Sequence, residues 1–224
     1  MCAANRAGEG SLDMTVADGR ADVAVAGELT GDARPFRRRL LDGLADSIAE
    51  RGYRDTTIAD IVRHARTSKR TFYQEFSSKE ECFIELLWTA NQEMMAQIRA
   101  AVDPQAFWQD QIRQAIDAYV ESIESRPAIT LSWIREMPAL GTVVRPVQRR
   151  GIEDLTKMLV DLTDSPGFRR AKLPPISKPI AVILLGGLRE LTAQTVEDKR
   201  DVRSIVDAAV TASIAVVGRG APAH

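Results

Sequence analysis

Between Arg66 and Glu81 the chain reads RTSKRTFYQEFSSKEE, a run in which basic and hydroxyl side chains are interrupted by aromatic ones. Those residue types suit nucleic-acid recognition. Phosphates attract Lys and Arg and accept hydrogen bonds from Ser, Thr and Tyr, while base edges are read by Lys, Arg, Ser, Thr and Gln. If Phe72 and Phe76 turn inward from a short helix, Lys69, Arg70, Thr71, Tyr73 and Gln74 face outward or sideways. The plainer reading is a solvated basic face, which charge alone does not separate from a DNA-contacting one.

Charge distribution sharpens the choice. The 224-residue chain has a formal net charge of −1. Residues 1–33 carry two Arg against six acids, whereas residues 34–79 carry eleven Lys or Arg against six. The positive charge is therefore local, and the quoted run lies inside it.

The elements that position this run follow from periodicity and caps. Residues 1–33, rich in Ala, Gly, Asp and Thr, read as a disordered arm. Phe36, Leu40, Leu44 and Ile48 recur every four residues and predict a first helix over about 34–51, with Arg37, Arg38 and Arg39 off its apolar stripe and Gly52 at its C-terminus. Thr57 and Asp60 form a capping box ahead of a second stripe, Ile58, Ile61, Val62 and Ala65. Ser68 caps a short third helix. Ser78 and Glu81 repeat the capping pattern and open a long fourth one over about 79–101. Two short helices joined by a tight turn make a helix-turn-helix, whose second helix enters the major groove. Helices this short are unstable alone, so caps and turn together favour the DNA-contacting reading.

Downstream, helices are expected over about 105–125, 128–137, 144–164, 178–196 and 201–218, with stops at Pro127, Pro138 and Ser165-Pro166-Gly167, and a loop over 165–177. No alternating strand pattern appears. The fold class is all-α: a three-helix helix-turn-helix DNA-binding domain at 34–80, followed by a larger helical effector-binding and dimerisation domain at 81–220.

The stretches ERGYRDTTIADIVRHA, SKRTFYQEF and SSKEECF, with the amphipathic helix before them, resemble the DNA-binding domain of the TetR family of transcriptional repressors. The match runs from Arg34 to Leu87, about a quarter of the chain, at unbroken spacing. The resemblance implies phosphate contacts from Thr57, Tyr73 and Lys79. It places Ser68, Lys69, Arg70, Thr71 and Gln74 on or beside the recognition helix. Two departures stand out. Arg66 occupies a turn position where the family usually has glycine, which calls for φ > 0 and costs about 1 kcal/mol in a non-glycine residue; a phosphate contact would offset it. Arg70 stands where a small residue is common, which implies a different operator.

In the larger half, the resemblance implies dimerisation through the last two helices. Their broad apolar faces hold Ile183, Leu184, Gly187 and Leu191 on one and Val206, Val210, Ile214 and Val217 on the other; the plain alternative is a core pair inside one subunit. A small effector is expected between reader and interface. Trp88, Met95, Trp108, Tyr119, Trp133, Met137 and Met158 are the candidate lining, although most such residues simply pack a core. Few charged groups are placed to face inward, so a neutral or amphiphilic ligand is expected, with Glu93, Arg135 and Glu136 as candidate polar handles.

Other classes fit less well. His64 and His224 are the two histidines, and no His-Glu-x-x-His, Gly-x-Ser-x-Gly or phosphate-cradling glycine loop occurs, so neither catalysis, nor a metal, nor a cofactor is expected. Cys2 and Cys82 are too few and too far apart for a disulfide framework. The longest apolar run near the C-terminus, Ile180 to Leu188, falls well short of the ~20 residues a membrane span needs, and a cytoplasmic protein is expected. The rival outside DNA binding is a helical interaction module whose basic head meets an acidic partner.

Overall fold

The computed structural model describes residues 35–218; the expected arm at 1–33, Arg34, and the stretch from 219 to His224 lie outside the described residues. Among the described residues all regular structure is helical. Helix α1 (Pro35–Asp55) precedes α2 (Ile58–His64), α3 (Lys69–Glu75) and the long α4 (Lys79–Ala101). There follow α5 (Trp108–Ser125), α6 (Pro127–Leu131), a π-helical turn (Ser132–Glu136) and α7 (Met137–Ala139). A 3-10 turn (Gly141–Val144) leads into α8 (Arg145–Thr163), then α9 (Pro166–Arg170) and α10 (Lys178–Glu197). A last 3-10 turn (Val202–Ile205) opens α11 (Val206–Gly218).

The N-terminal caps form as the sequence dictates. Thr57 and Asp60 make a reciprocal capping box, and Ser68 and Ser78 accept from the amides of Thr71 and Glu81. The Glu81 carboxylate, however, reaches back to the amide and hydroxyl of Ser77, one residue before the cap. Gly52 adopts φ 80 within α1, so the helix kinks there and resumes through Tyr53 to Asp55 rather than giving way to a link.

Several expected boundaries shift. Asp103 draws the next residues into a turn, its carboxylate accepting from Gln105 N at 2.8 Å, which delays α5 to Trp108. Pro138 does not stop a helix. It sits at the start of α7, directly after the π-helical turn, where the wider i to i−5 pattern absorbs its missing amide. The expected loop at 165–177 contains α9, because Pro166 at a first helical position is already set for helix. The final helix begins as a 3-10 turn capped by Asp201.

One apolar cluster gathers Leu40, Leu44, Ile61, Phe72, Phe76 and Phe83 from α1 to α4 and continues into Ile129, Met137 and Val144. A second joins α5 to α9 and α11 through Ile116, Val120, Phe168, Ile205 and Val210; a third packs Met95 and Ile98 against Ala118 and Met158. Helices α1 and α2 cross so closely at Gly43 that an added Cβ would stand 2.7 Å from Ile61 O and 2.8 Å from Ala65 N. Backbone atoms cannot swing aside as side chains do. Gly43→Ala should therefore destabilise the protein by about 1–3 kcal/mol. Urea denaturation checks this, and an unchanged midpoint would show slack in the crossing.

Candidate functional site

Helix α3 is built to hold one face in and present the other. Phe72 and Phe76 are fully buried, and Phe76 lies under the Arg37 guanidinium at 4.2 Å. Arg37 from α1 also clamps Glu85 of α4, with Nε 2.7 Å from Oε1 and a second, shorter contact to Oε2, and it pairs with Glu75 of α3. One cation thus ties three helices, a role that its position off the apolar stripe did not announce.

The other face of α3 is open. Lys69, Arg70, Tyr73 and Gln74 are exposed, Tyr73 to 59%. No described residue offers Lys69, Arg70 or Gln74 a hydrogen bond or ion pair. Neighbouring cations are spent on structure: Arg51 and Arg63 pair with Glu50 and Asp60, the His64 ring lies beside Glu50, and Arg54 meets Glu136 at 3.0 Å. Arg66, Lys69 and Arg70 therefore remain as charges without counterions among the described residues, grouped at the turn and the start of α3. This is the free positive potential an anionic polymer requires.

The hydroxyls and Lys79 are placed differently. Thr57 Oγ1 donates to Asp60 at 2.6 Å, while Ser68 and Thr71 share a hydroxyl contact at 3.0 Å within the α3 cap. Lys79 turns inward, donating to Tyr53 O at 3.1 Å and Thr56 O at 2.8 Å over the Tyr53 ring. Its ammonium serves the end of α1, and only its remaining donor capacity faces elsewhere.

The turn before α3 has the expected positive φ: Arg66 stands at 49°. Thr67 N bonds Val62 O at 2.9 Å and Arg66 N bonds Arg63 O at 3.2 Å, the paired pattern of a Schellman cap with Arg66 at its left-handed position. Arg66 is not alone in this. Lys172 (φ 57) and Lys199 (φ 54) end α9 and α10 through the same bond pattern. All three residues are basic, and their charge sits where the helix carbonyls concentrate negative potential, which partly offsets the backbone strain.

The larger half carries two adjoining cavities, both open to the surface along α10, where exposed Val182 and Gly186 border the first and exposed Ile183 and Gly187 the second. One, of about 570 Å³, is lined by Asn91, Glu93, Arg126, Trp133 and Arg189 among others. The second, of about 510 Å³, is almost wholly apolar and lies between α5, α8, α10 and α11. Of the predicted lining residues, Tyr119, Trp133 and Met158 are on these walls. Met95 and Met137 are shut in the core instead, Trp108 packs on Phe168, and Trp88 lies under Arg150. Glu93 lines the first cavity, but Arg135 is spent on Glu190 and Glu197 and Glu136 on Arg54. The expectation of few inward charges fails at Arg189. This residue donates to Ile134 O at 2.9 Å, and desolvation by burial, followed by the nearby Arg135 charge, lowers its pKa.

On the predicted interface helices, Ile183 is 64% exposed and Gly187 is open, with Leu184, Leu191, Val206 and Ile214 half-buried. Val210 and Val217 point the other way, into the subunit core against α5, since α11 must bury one face to be held at all.

Comparison with known proteins bears on this geometry. Residues 40–86 match the family described as bacterial regulatory proteins, tetR family. This N-terminal segment is similar to the TetR family. A curated relative, the HTH-type transcriptional repressor KstR2 of Mycobacterium tuberculosis, is 32% identical over 117 residues, covering 52% of this chain and 58% of that protein. The chain spans little more than half the length of such curated relatives. Two solved structures share the fold across most of the chain. The fatty acid degradation regulator FadR of Bacillus halodurans superposes with TM-score 0.68 at 17% identity, covering 86% of this chain and all of that one. FadR of Bacillus subtilis, solved with stearoyl-CoA, gives 0.67 at 15% identity over 80% and 97% of the two chains. The matched segment runs from within α1 through α2 and α3 to the first turns of α4, and the all-α architecture extends beyond it.

Replacing Arg66, Lys172 or Lys199 with Gly relieves a left-handed residue but adds unfolded-chain freedom and removes a charge from a helix C-terminus. Each change should raise the unfolding free energy by about 0.5–1 kcal/mol. Chemical denaturation of the three variants checks the sign, and a loss of stability at all three would show that charge compensation outweighs strain.

Proposed function

We propose that the protein is a TetR-type transcriptional regulator that binds a near-palindromic DNA operator as a homodimer and is released by a small amphiphilic effector. One observation carries this: helix α3, anchored by Phe72 and Phe76, presents Lys69, Arg70, Tyr73 and Gln74 outward, with Lys69, Arg70 and Gln74 unpaired among the described residues. The division of labour is a reader at 34–80 and an effector-binding and dimerising part at 81–220, acting in the cytoplasm.

In this reading Tyr73, Arg66 and the backbone around the Thr57 and Ser68 caps meet phosphates. Lys69, Arg70, Thr71 and Gln74 approach base edges, and Lys79 holds the reader together more than it touches DNA. The exposed Val182 and Ile183 and the open surface at Gly186 and Gly187 support pairing of α10 and α11 with a second copy. Two-fold pairing would set two recognition helices roughly 34–36 Å apart, one helical turn of DNA. Repression is supported by the KstR2 likeness, and an effector by the two cavities. An effector acts only if it favours a reader spacing that does not fit the operator.

The rival, an acidic protein partner, predicts no preference among DNA sequences. Gel-shift titration against DNA flanking the protein's own gene, with random competitor at fixed salt, separates the two; equal affinity for both DNAs would sink the regulator reading. Tyr73→Phe should weaken binding to every sequence, whereas Arg70→Ala and Gln74→Ala should each remove about 1–3 kcal/mol of discrimination at particular base pairs. A uniform loss in the latter two would reassign them to phosphate. For the interface, Ile183→Asp should shift the protein from dimer to monomer in light scattering, and a dimer that persists would place the pairing surface elsewhere.

A further inference from the structure

The two cavities share part of their walls. Met94, Tyr119, Leu155 and Leu185 line both, so the polar chamber and the apolar one abut across four side chains. Tyr119 stands between them with its phenol bonded to Thr192 Oγ1 at 2.9 Å, and burial pushes its pKa up to about 12. It presents a neutral ring to both sides. Met94 is unbranched and adaptable, a suitable threshold between compartments.

The polar chamber holds two groups with unmet requirements. Asn91 on α4 is 6% exposed, and its Nδ2 has no hydrogen-bond partner among the described residues. A buried donor left unpaired is costly and marks a place where an acceptor belongs. Arg189 on α10 is half-buried and pairs with no carboxylate among the described residues. The other charges on this wall, Arg126 and Glu93, pair with each other at 3.3 Å. The chamber therefore has one cation in excess and one orphan donor. In the apolar chamber Gln111 bonds Pro104 O, Ala106 O and Ser165, and Thr163 bonds Val160 O and Ile176 N, which leaves the small, half-buried Ser213 hydroxyl among otherwise hydrocarbon walls. No charged side chain and no fully buried unpaired polar group lies on that wall among the described residues.

We propose that the two chambers form a single site for a long-chain acyl compound, its anionic or carbonyl head against Arg189 and Asn91 and its hydrocarbon tail passing Met94 and Tyr119 into the apolar chamber. The proposal rests on the effector response proposed above and names its ligand class. Head and tail are recognised by different physics. The head exchanges water for the Arg189 guanidinium and the Asn91 amide, a charge-assisted arrangement. The tail gains from burial in proportion to its length, roughly fourfold in affinity per methylene until the chamber fills. The combined volume suits a ligand of lipid size rather than a small aromatic.

Calorimetric titration of the full chain with palmitate, palmitoyl-CoA, octanoate and hexadecanol tests this. Palmitate or palmitoyl-CoA should bind at one per chain; octanoate should bind at least 100-fold more weakly, and hexadecanol about tenfold more weakly than the charged ligand. Binding of palmitate alone identifies the free carboxylate as the head, and binding of palmitoyl-CoA alone identifies the thioester. Arg189→Gln should weaken the charged ligand about tenfold and leave hexadecanol unchanged. Asn91→Leu, which fills the same wall without a donor, should weaken palmitate and palmitoyl-CoA and spare hexadecanol. Circular-dichroism melting confirms that both variants are folded. Affinity independent of chain length, equal losses for hexadecanol, or no binding of any of the four would overturn the proposal. Gel shifts without lipid, run on the same samples, separate the two ideas: operator binding without lipid binding leaves the regulator reading intact.

Discussion

The ammonium of Lys79 and the ring of Tyr53 hold together a structure whose helix-turn-helix elements are too short to stand alone. Helices α2 and α3 have seven residues each, below the length at which an isolated helix persists in water. Lys79, at the start of α4, donates to the carbonyls of Tyr53 and Thr56 at the end of α1, while Phe83 one turn later stacks on Tyr53 with centroids 3.7 Å apart. The long α4 is thereby fastened to the segment that leads into α2. With Arg37 clamping α1 to α3 and α4 from the other side, the outward face of α3 is held rigid by residues that do not belong to that face. Orientation of the unpartnered side chains is a consequence of this fastening.

What could be read in the sequence was what is local. A cap needs only a hydroxyl and a carboxylate at fixed spacing, so Thr57, Ser68 and Ser78 were legible, as were the inward Phe72 and Phe76 from their spacing of four. The positive φ at Arg66 was also legible, though only through resemblance to a family with glycine there. Its meaning was not. Set beside Lys172 and Lys199, Arg66 is one of three helix ends, at α2, α9 and α10, where a cation stands in place of glycine. The destination of a long side chain depends on partners distant in sequence. Lys79 therefore looked like a phosphate ligand and Arg37 like a solvent-facing charge. Pro138 misled for a related reason, because a π-helical turn before it supplies the room that a regular helix would not.

The cavity was the least legible part. Composition pointed to Trp and Met, yet whether such a residue lines a space or fills one depends on which helix face meets a neighbour. Met95 and Met158 are both buried, and only the second is on a wall. Asn91 and Arg189 carried no local signal, since each lies in an ordinary helical sequence and matters only because of what surrounds it. On α11, similarly, the apolar residues are too evenly spread for periodicity to tell a subunit-facing Val210 from the more open Ala212 and Ala215.

Four consecutive residues of the π-helical turn serve unrelated neighbours. Trp133 walls the polar cavity, Ile134 offers its carbonyl to Arg189, Arg135 holds two carboxylates of α10, and Glu136 meets Arg54 at the end of α1. In evolutionary terms such a stretch cannot be tuned one duty at a time. An inserted or deleted residue would rotate the following helix by about 100° and break every one of these contacts together. Change in the shape of the cavities is therefore channelled away from this turn and towards the walls contributed by α4, α5 and α8, where a side chain can change size without detaching the helix-turn-helix segment.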